Sequence, residues 1–416
     1  MGAAAEHLIV GLDVGTSKIS VVAATRDDEG NLAYVDGTRV ESAGIRNGVI
    51  VNMQDATEAV ERAIYEVEER SGRRISSACI SIGGRHLSSQ NTRGSTTITP
   101  VGREIGHEDI ERALASARAN VRLGDNSEIL HEIPRAYMVD GQTGVQDPYD
   151  MAGFQLEVET HYSIATSTIL QNLLKCVRQA RVTPEMVVAA PLAAGEAIRD
   201  TFSDAQCLAV VDIGAETTGL TLYVNDAIWL SEVLPLGGAT FTRELGAQLK
   251  LPVSAAEELK LRHGHCDPRA VGEYELVDMP QSVAIDAVLP RAEIVRILNE
   301  RVGVLGDELS QNIRQARRVG VDPEVVVLTG GGANLPGIDA LLMEMLETPV
   351  YRGTPGDIRG LPPVMENPAF ATTIGLVHWY ARYTLHDEGK GMGRRLQALP
   401  SSLVSSMKRI FRVVLP

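Results

Sequence analysis

Residues 8–22, LIVGLDVGTSKISVV, and residues 207–222, CLAVVDIGAETTGLTL, share one pattern. Each is an apolar run, a short turn around Asp-x-Gly and a second apolar run, as in a buried β-hairpin. Setting Asp13 on Asp212 sets Gly15 on Gly214, and the strand residues match in character. Each hairpin is followed by a polar turn, at 26–31 and at 225–226, and by a third apolar run. Asp-x-Gly after an apolar strand is common by itself. Two copies 199 residues apart, with matching flanks, predict a duplicated α/β fold with a shared cleft.

Such turns suit phosphate. A tight turn presents successive backbone N–H groups to an anion, and glycine lets the anion come close. After Gly15, Thr16 and Ser17 add hydroxyl donors and Lys18 adds charge. In the second turn Gly214, Ala215, Glu216, Thr217 and Thr218 take the corresponding places. Asp13 and Asp212, one from each copy, are the candidate ligands of a hydrated Mg2+, which takes few carboxylates and keeps its waters. A third element, VVVLTGGGANLPG at 325–337, runs from a buried strand into Gly330, Gly331 and Gly332, with a helix expected near Leu335-Pro336. Bare backbone there suits a flat ligand; an ordinary strand-to-helix turn is the plainer alternative.

Composition sets the frame. With 416 residues the chain is long enough for two or more cores, and 44% hydrophobic with 22% charged residues is ordinary for a globular protein. Aromatics at 4% and a net charge of −15 argue against nucleic acid as a partner. The charge is uneven. Residues 389–416 carry six basic residues and no acidic one, leaving 33 basic against 54 acidic residues, a net of −21, on the rest. The four cysteines are far apart and form no CxxC, so they read as buried small hydrophobes in a reducing compartment. The first residues match neither a secretory signal nor the myristoylation pattern, and no apolar run reaches the length of a membrane span; a cytosolic location is expected.

Helical periodicity covers 55–71, 107–120, 167–180, 254–263 and 293–318, with Thr57/Glu61 and Ser254/Glu257 or Glu258 as helix-start signals. Residues 86–162 interrupt the first copy with strand-like runs at 96–99, 136–139 and 154–162 around one helix, an inserted α+β subdomain. Residues 264–290 are irregular, and 383–395 read as a polar, Gly-rich linker. Beyond it, Leu396, Leu399, Leu403, Val404, Met407, Ile410, Phe411 and Val414 recur at helical spacing, with Ser401, Ser402, Ser405, Ser406, Lys408, Arg409 and Arg412 largely opposite. Too short to span a bilayer, this segment suits a helix lying in an anionic membrane surface; a terminal helix docked on the protein's own core is the alternative.

Phosphate hairpin, crossing helix, second hairpin and GGG loop, in that order, resemble the superfamily of actin, the heat-shock chaperones and the sugar kinases. The fold this implies is α/β: two actin-like lobes, each a ribonuclease-H-like domain, with an inserted α+β subdomain and a C-terminal amphipathic helix. APLAAGEAI (190–198) and NPAFATTIG (367–375) resemble its two interdomain connectors. Glu257 and Lys260, in AEELKLRHG, resemble the pair that contacts the ribose; an exposed ion pair within the helix is the alternative.

EILHEIPRAYMVDGQTGVQDPYDMAGFQLEVETHYSIA (128–165), with SIGGRHLSSQNTRG before it and STILQNLLKCVRQA after it, resembles the subdomain of the bacterial cell-division family FtsA. The resemblance spans roughly residues 7–380 and implies a domain plan: a first lobe from 1–85 and 163–195, the insert at 86–162, a second lobe from 196–235 and 301–382 with its own insertion at 236–300, and a membrane helix at 396–416. It also implies ATP with Mg2+ in the cleft, self-association into filaments, docking of the C-terminal peptide of FtsZ near 236–300, other division proteins as partners, and residence on the cytoplasmic face of the membrane at the division site.

The chain departs from the family pattern. The second hairpin usually reads DIGGGTTD and here reads DIGAETTG. Ala215 restricts the backbone, and Glu216 would repel a terminal phosphate or add a metal ligand. Ala190 stands where the chaperones carry a glutamate before the connector proline, so slow hydrolysis at best is expected. A related pilus-assembly adaptor and a small-molecule kinase are the rival readings; no general base facing an acceptor pocket stands out for the second.

Overall fold

The computed structural model describes residues 8–27, 29–100, 102–272, 274–280 and 288–384. The chain opens with β1 (Leu8–Val14), β2 (Lys18–Arg26), β3 (Leu32–Glu41), the two-residue strands β4 (Ile45–Arg46) and β5 (Val49–Ile50), α1 (Met53–Ser71) and β6 (Ser77–Ile82). The insert follows as β7 (Ser88–Thr97), α2 (His107–Ala119), β8 (Ser127–Val139), β9 (Gln142–Val145) and β10 (Gln155–Thr166). Then come α3 (Ser167–Gln179), β11 (Thr183–Ala189) and α4 (Ala190–Glu196). The second copy runs β12 (Cys207–Ile213), β13 (Thr218–Val224), β14 (Ala227–Leu234), α5 (Gly238–Leu249), α6 (Val253–His263), β15 (Leu276–Asp278), β16 (Val288–Pro290), α7 (Arg291–Arg318), β17 (Val325–Thr329), α8 (Ile338–Leu346), β18 (Val350–Arg352) and α9 (Ala371–Tyr383).

The duplication is literal. One sheet has the order β3-β2-β1-β6-β11 and the other β14-β13-β12-β17-β18. In each, a three-stranded antiparallel meander continues into two parallel strands. Asp13 pairs across its hairpin with Ser20, and Asp212 across its own with Gly219. The turns close alike: the Gly15 amide donates to the Lys18 carbonyl at 3.1 Å and the Gly214 amide to the Thr217 carbonyl at 2.9 Å.

Strand alternation distributes β12 between two cores. Leu208 and Val210 join the core of the first copy, while Ala209, Val211 and Ile213 face a second core built with α5–α8. The insert sheet, β7-β10-β8-β9, buries Ile98, Ile110, Leu114, Tyr137 and Leu156 in a third core under α2. The four cysteines are free and buried. The connectors α4 and α9 cross as their small residues led one to expect: a β-carbon on Gly375 would overlap the Ala193 carbonyl oxygen, and one on Gly11 the Thr373 carbonyl oxygen.

Several expectations are corrected. Helix α1 starts before Thr57, because Asn52 caps it, its side-chain oxygen accepting from the amides of Gln54 (3.0 Å) and Asp55 (3.3 Å). Helix α6 starts at Val253 behind Pro252, with no side-chain cap, so Ser254 lies inside its first turn. After Gly330 the backbone makes a short 3-10 turn, Gly331–Asn334, and α8 begins only at Ile338. The boundary expected between 300 and 301 falls inside the 28 residues of α7, and that between 195 and 196 in the last turn of α4. Tyr383 belongs to α9, its ring 4.6 Å from that of Trp379, so it is no part of a linker. Residues 385–416, which include the rest of the expected linker and the expected membrane helix with Leu403, Met407, Lys408, Arg409, Ile410, Phe411 and Arg412, lie outside the described residues. No helix among the described residues is long and apolar enough to cross a membrane.

Candidate functional site

The two hairpin turns meet across a cleft between the sheets. Asp13, Gly15, Thr16, Ser17 and Lys18 line it from one side, and Asp212, Gly214, Ala215, Glu216 and Thr217 from the other, with Gly330 and Gly331 between them. This polar chamber has a cavity volume of about 100 Å³. It shares Ser17, Lys18, Gly214, Ala215, Gly331 and Ala369 with a larger chamber of about 620 Å³, whose walls include Gly332, Glu257 and Lys260 as well as Phe241, Leu335 and Pro336. A small polar end joined to a larger, more apolar end matches the shape of a phosphorylated ligand with a flat organic portion.

Thr218 is the one residue of the candidate set that the structure takes out of the cleft. It is fully buried and its hydroxyl donates to the Leu236 carbonyl at 2.7 Å. Strand alternation explains this: Thr218 is the first residue of β13, paired with Ile213, and turns into the second core.

The electrostatics come from burial. Asp13 accepts from the Ser81 hydroxyl at 2.6 Å, and burial raises its pKa, opposed by Lys18 and by the Ser81 bond. Burial, then the charge of Asp13, pushes Asp212 up to about 6, opposed by Lys18 and by the Thr372 hydroxyl 3.3 Å away. Lys18 is pushed down by burial and held up by both aspartates; its ammonium donates to the Ala369 carbonyl and lies 5.4 Å from the centre of the Phe370 ring. Two carboxylates, Asp13 buried and Asp212 partly buried, thus face one partly buried ammonium, which leaves room for a further cation. Among the described residues no group of three or more His, Cys, Asp or Glu could hold a metal. Asp13 and Asp212 are a donor set of the kind that suits Mg2+, which takes one or two carboxylates and completes its shell with water and ligand oxygens.

The glycines are required by contact. Gly330 has φ +80°, and a β-carbon there would overlap the Asp212 carboxylate; one on Gly332 would overlap the Ile213 side chain. Ala215 does not adopt a positive φ, so its β-carbon costs no backbone strain. Gly219 packs under α4, where a β-carbon would come 2.7 Å from Pro191 Cγ.

Glu216 is paired within the protein, with a partner that the sequence did not point to. Its two oxygens each accept from a different nitrogen of Arg243, both at 2.8 Å. Glu257 and Lys260 are paired at 2.7 Å, and Lys260 also donates to Thr242 Oγ1 (2.8 Å) and to the Gly238 carbonyl (3.1 Å). The pair is intrahelical, as the alternative expected, but it is not fully exposed: Lys260 is 12% exposed, and both residues line the larger chamber. Ser81, Thr372, Arg39 and Arg243 are site residues that the sequence reading missed. Ser81 and Thr372 lie in the segments SIGGRHLSSQNTRG and NPAFATTIG but bond the two aspartates, Arg39 lines the larger chamber, and Arg243 bonds Glu216; none belongs to the turn motifs themselves.

Comparison with known proteins places this geometry. A family model described as "SHS2 domain inserted in FTSA" matches residues 84–164, and one described as "Cell division protein FtsA" matches residues 209–375. The cell division protein FtsA of Pseudomonas aeruginosa is 32% identical over 389 residues, which cover 92% of this chain and 91% of that protein. Among solved structures, a chain of the PilM-PilN type IV pilus biogenesis complex is similar with a TM-score of 0.67 and 18% identity over 89% of this chain and 97% of that one. A chain of the MamK double helical filament is similar with a TM-score of 0.50 and 14% identity, over 89% and 98%. At such identities the two structures show the fold alone: two actin-like lobes. The sequence relatives carry more, and on them the chain belongs to the FtsA family of cell division proteins.

Proposed function

We propose that this chain binds ATP with Mg2+ in the cleft between its two hairpins, polymerises on the inner face of the cytoplasmic membrane, and tethers FtsZ filaments at the division septum. The observation that carries the reading is the pair of joined chambers, one lined by two Asp-x-Gly turns and bare glycine backbone, the other by the Glu257–Lys260 pair and apolar walls. Asp13 and Asp212 would hold the metal, which would supply positive charge to the phosphates. The turn amides, Thr16 and Lys18 bind and orient the phosphates. The Thr16 hydroxyl oxygen already accepts from the Gly48 amide at 3.0 Å, which leaves its proton to donate.

Turnover is slow. Ala190 lines the polar chamber at the start of α4 and carries no group that could orient water. The site is built to hold a nucleotide more than to consume it. Self-association follows from the two-lobed body, whose unlike ends allow a head-to-tail contact that does not close, and the filament in which MamK was solved is a precedent on this fold. The C-terminal peptide of FtsZ docks near 236–300, other division proteins are further partners, and the basic tail meets an anionic membrane. Isothermal calorimetry of the intact chain with ATP and Mg2+ tests the central point. Heat of binding at micromolar ATP is expected, and its absence would remove the nucleotide from this reading.

A further inference from the structure

The second hairpin carries Glu216 into a chamber that Asp13 and Asp212 already make acidic. Three carboxylates against the one ammonium of Lys18 would repel a polyanion if Glu216 stood alone. It does not. Its side chain, 16% exposed, is held by both arms of the Arg243 guanidinium, which is 49% exposed. The planar fork that clasps a carboxylate clasps a phosphate in the same way. Arg243, bonded to a residue that lines the chamber, therefore suits two interchangeable kinds of partner and has enough exposure to change between them.

Helix α5, which carries Arg243, is anchored on the hairpin itself. The amides of Gly238 and Ala239 donate to the carbonyls of Gly214 and Ala215 at 2.9 and 2.7 Å. The residue beside Arg243, Thr242, is buried, and its hydroxyl meets Glu257 and Lys260, which line the other chamber. Neighbouring residues on one helix thus hold lining residues of both chambers.

We infer that Glu216 and Arg243 discriminate nucleoside triphosphate from diphosphate. Without a terminal phosphate, Arg243 neutralises Glu216. With one, Arg243 moves to the terminal phosphoryl oxygens and Glu216 is released to solvent. A diphosphate lacks that group and leaves the pair closed. The inference rests on the reading that the cleft binds ATP. A purely structural clamp would alter the affinities for ATP and ADP alike.

The test is titration of ATP and of ADP, each with Mg2+, into the full chain and its Glu216→Gln and Arg243→Gln variants, with thermal melts as a check on folding. Glu216→Gln removes the competitor for Arg243 and should tighten ATP about tenfold relative to ADP, the worth of one charge-assisted contact. Arg243→Gln should weaken ATP about tenfold and ADP much less. If Arg243→Gln does not fold, Arg243→Lys, which keeps the charge and loses the fork, should give a smaller shift in the same direction. An ATP-to-ADP affinity ratio unchanged in Glu216→Gln, with both nucleotides still bound, overturns this inference and leaves the ATP reading standing. If the intact chain binds neither nucleotide, both fail together.

Discussion

Asp13 and Asp212 hold one ladder position in two copies of one hairpin, and both face the same polar chamber. They are not equivalent in what supports them. Asp13 accepts from Ser81 at 2.6 Å, a strong bond that fixes its carboxylate, whereas Asp212 accepts from the Thr372 hydroxyl at a longer 3.3 Å. The better-held carboxylate is the better-placed metal ligand. Asp13→Ala is therefore expected to abolish the Mg2+-dependent part of ATP binding, and Asp212→Asn to reduce it by a smaller factor. Calorimetry with Mg2+ and with EDTA reads both. Equal Mg2+ dependence in the intact chain and in Asp13→Ala would remove Asp13 from the metal site.

The insert is docked by histidines kept neutral. The ring nitrogens of His161 lie 2.8 Å from Asn91 Oδ1 and 3.0 Å from Ser231 Oγ, joining the insert sheet to β14 of the second copy. His131 Nε2 accepts from the Ala189 amide at 3.0 Å. Burial pushes both down to about 3, with Arg135 and His131 adding to the effect at His161. A pKa lowered on folding means that the unfolded chain takes up the proton first, so stability falls as pH drops below the unfolded value, roughly 6.5, towards 3. Each histidine is expected to cost about 2 kcal/mol at pH 5 relative to pH 7. Urea denaturation at the two pH values, on the intact chain and on His131→Gln, isolates one contribution. A pH dependence as steep in the variant as in the intact chain would contradict it.

What the sequence made legible is what periodicity and glycine mark. The two hairpins, the GGG turn, the crossing connectors and the helices other than α5 stand out because apolar spacing or small residues repeat over several positions. Strand β7, SSQNTRGSTT, was legible only at its end, because it is a polar edge strand with one buried residue, Gly94. Asn52 was missed as the cap of α1 because the apolar periodicity starts later, at Ala56. The Glu216–Arg243 pair joins residues 27 apart through a helix whose N-terminus folds back onto the turn, and no local spacing encodes that. Thr218 was misplaced for a simpler reason: a hydroxyl following a turn looks like a donor until strand alternation is counted.

Two glycines separate backbone strain from collision. Gly330 and Gly141 have φ of +80° and +84°, but a β-carbon on Gly141 meets nothing within 4 Å, whereas one on Gly330 overlaps the Asp212 carboxylate. Gly141→Ala should cost about 1–2 kcal/mol, the strain of the left-handed region alone. Gly330→Ala should cost more than that and also displace Asp212, weakening nucleotide binding that Gly141→Ala leaves intact. Denaturation and ATP titration of the two variants provide the comparison, and equal effects on ATP affinity would show that close approach at Gly330 has no part in the site.

The tail is set apart from the body by its charge and its apolar spacing. The body carries a net charge of −21 and residues 389–416 carry six basic residues and no acidic one. An acidic body is repelled by an anionic bilayer, and each basic residue near that surface returns roughly 1 kcal/mol. Charge by itself gives loose, salt-sensitive attraction; the stripe from Leu396 to Val414 would add apolar burial, with Phe411 its largest member. Deleting 396–416 is expected to leave a folded, nucleotide-binding protein that no longer sediments with anionic liposomes. Phe411→Glu should reproduce that loss while keeping all the basic residues, which separates insertion from electrostatic attraction. A tail docked on the protein's own core would make the deletion lower the melting temperature instead. Liposome binding by the truncated chain equal to that of the full chain would place the membrane contact elsewhere in the molecule.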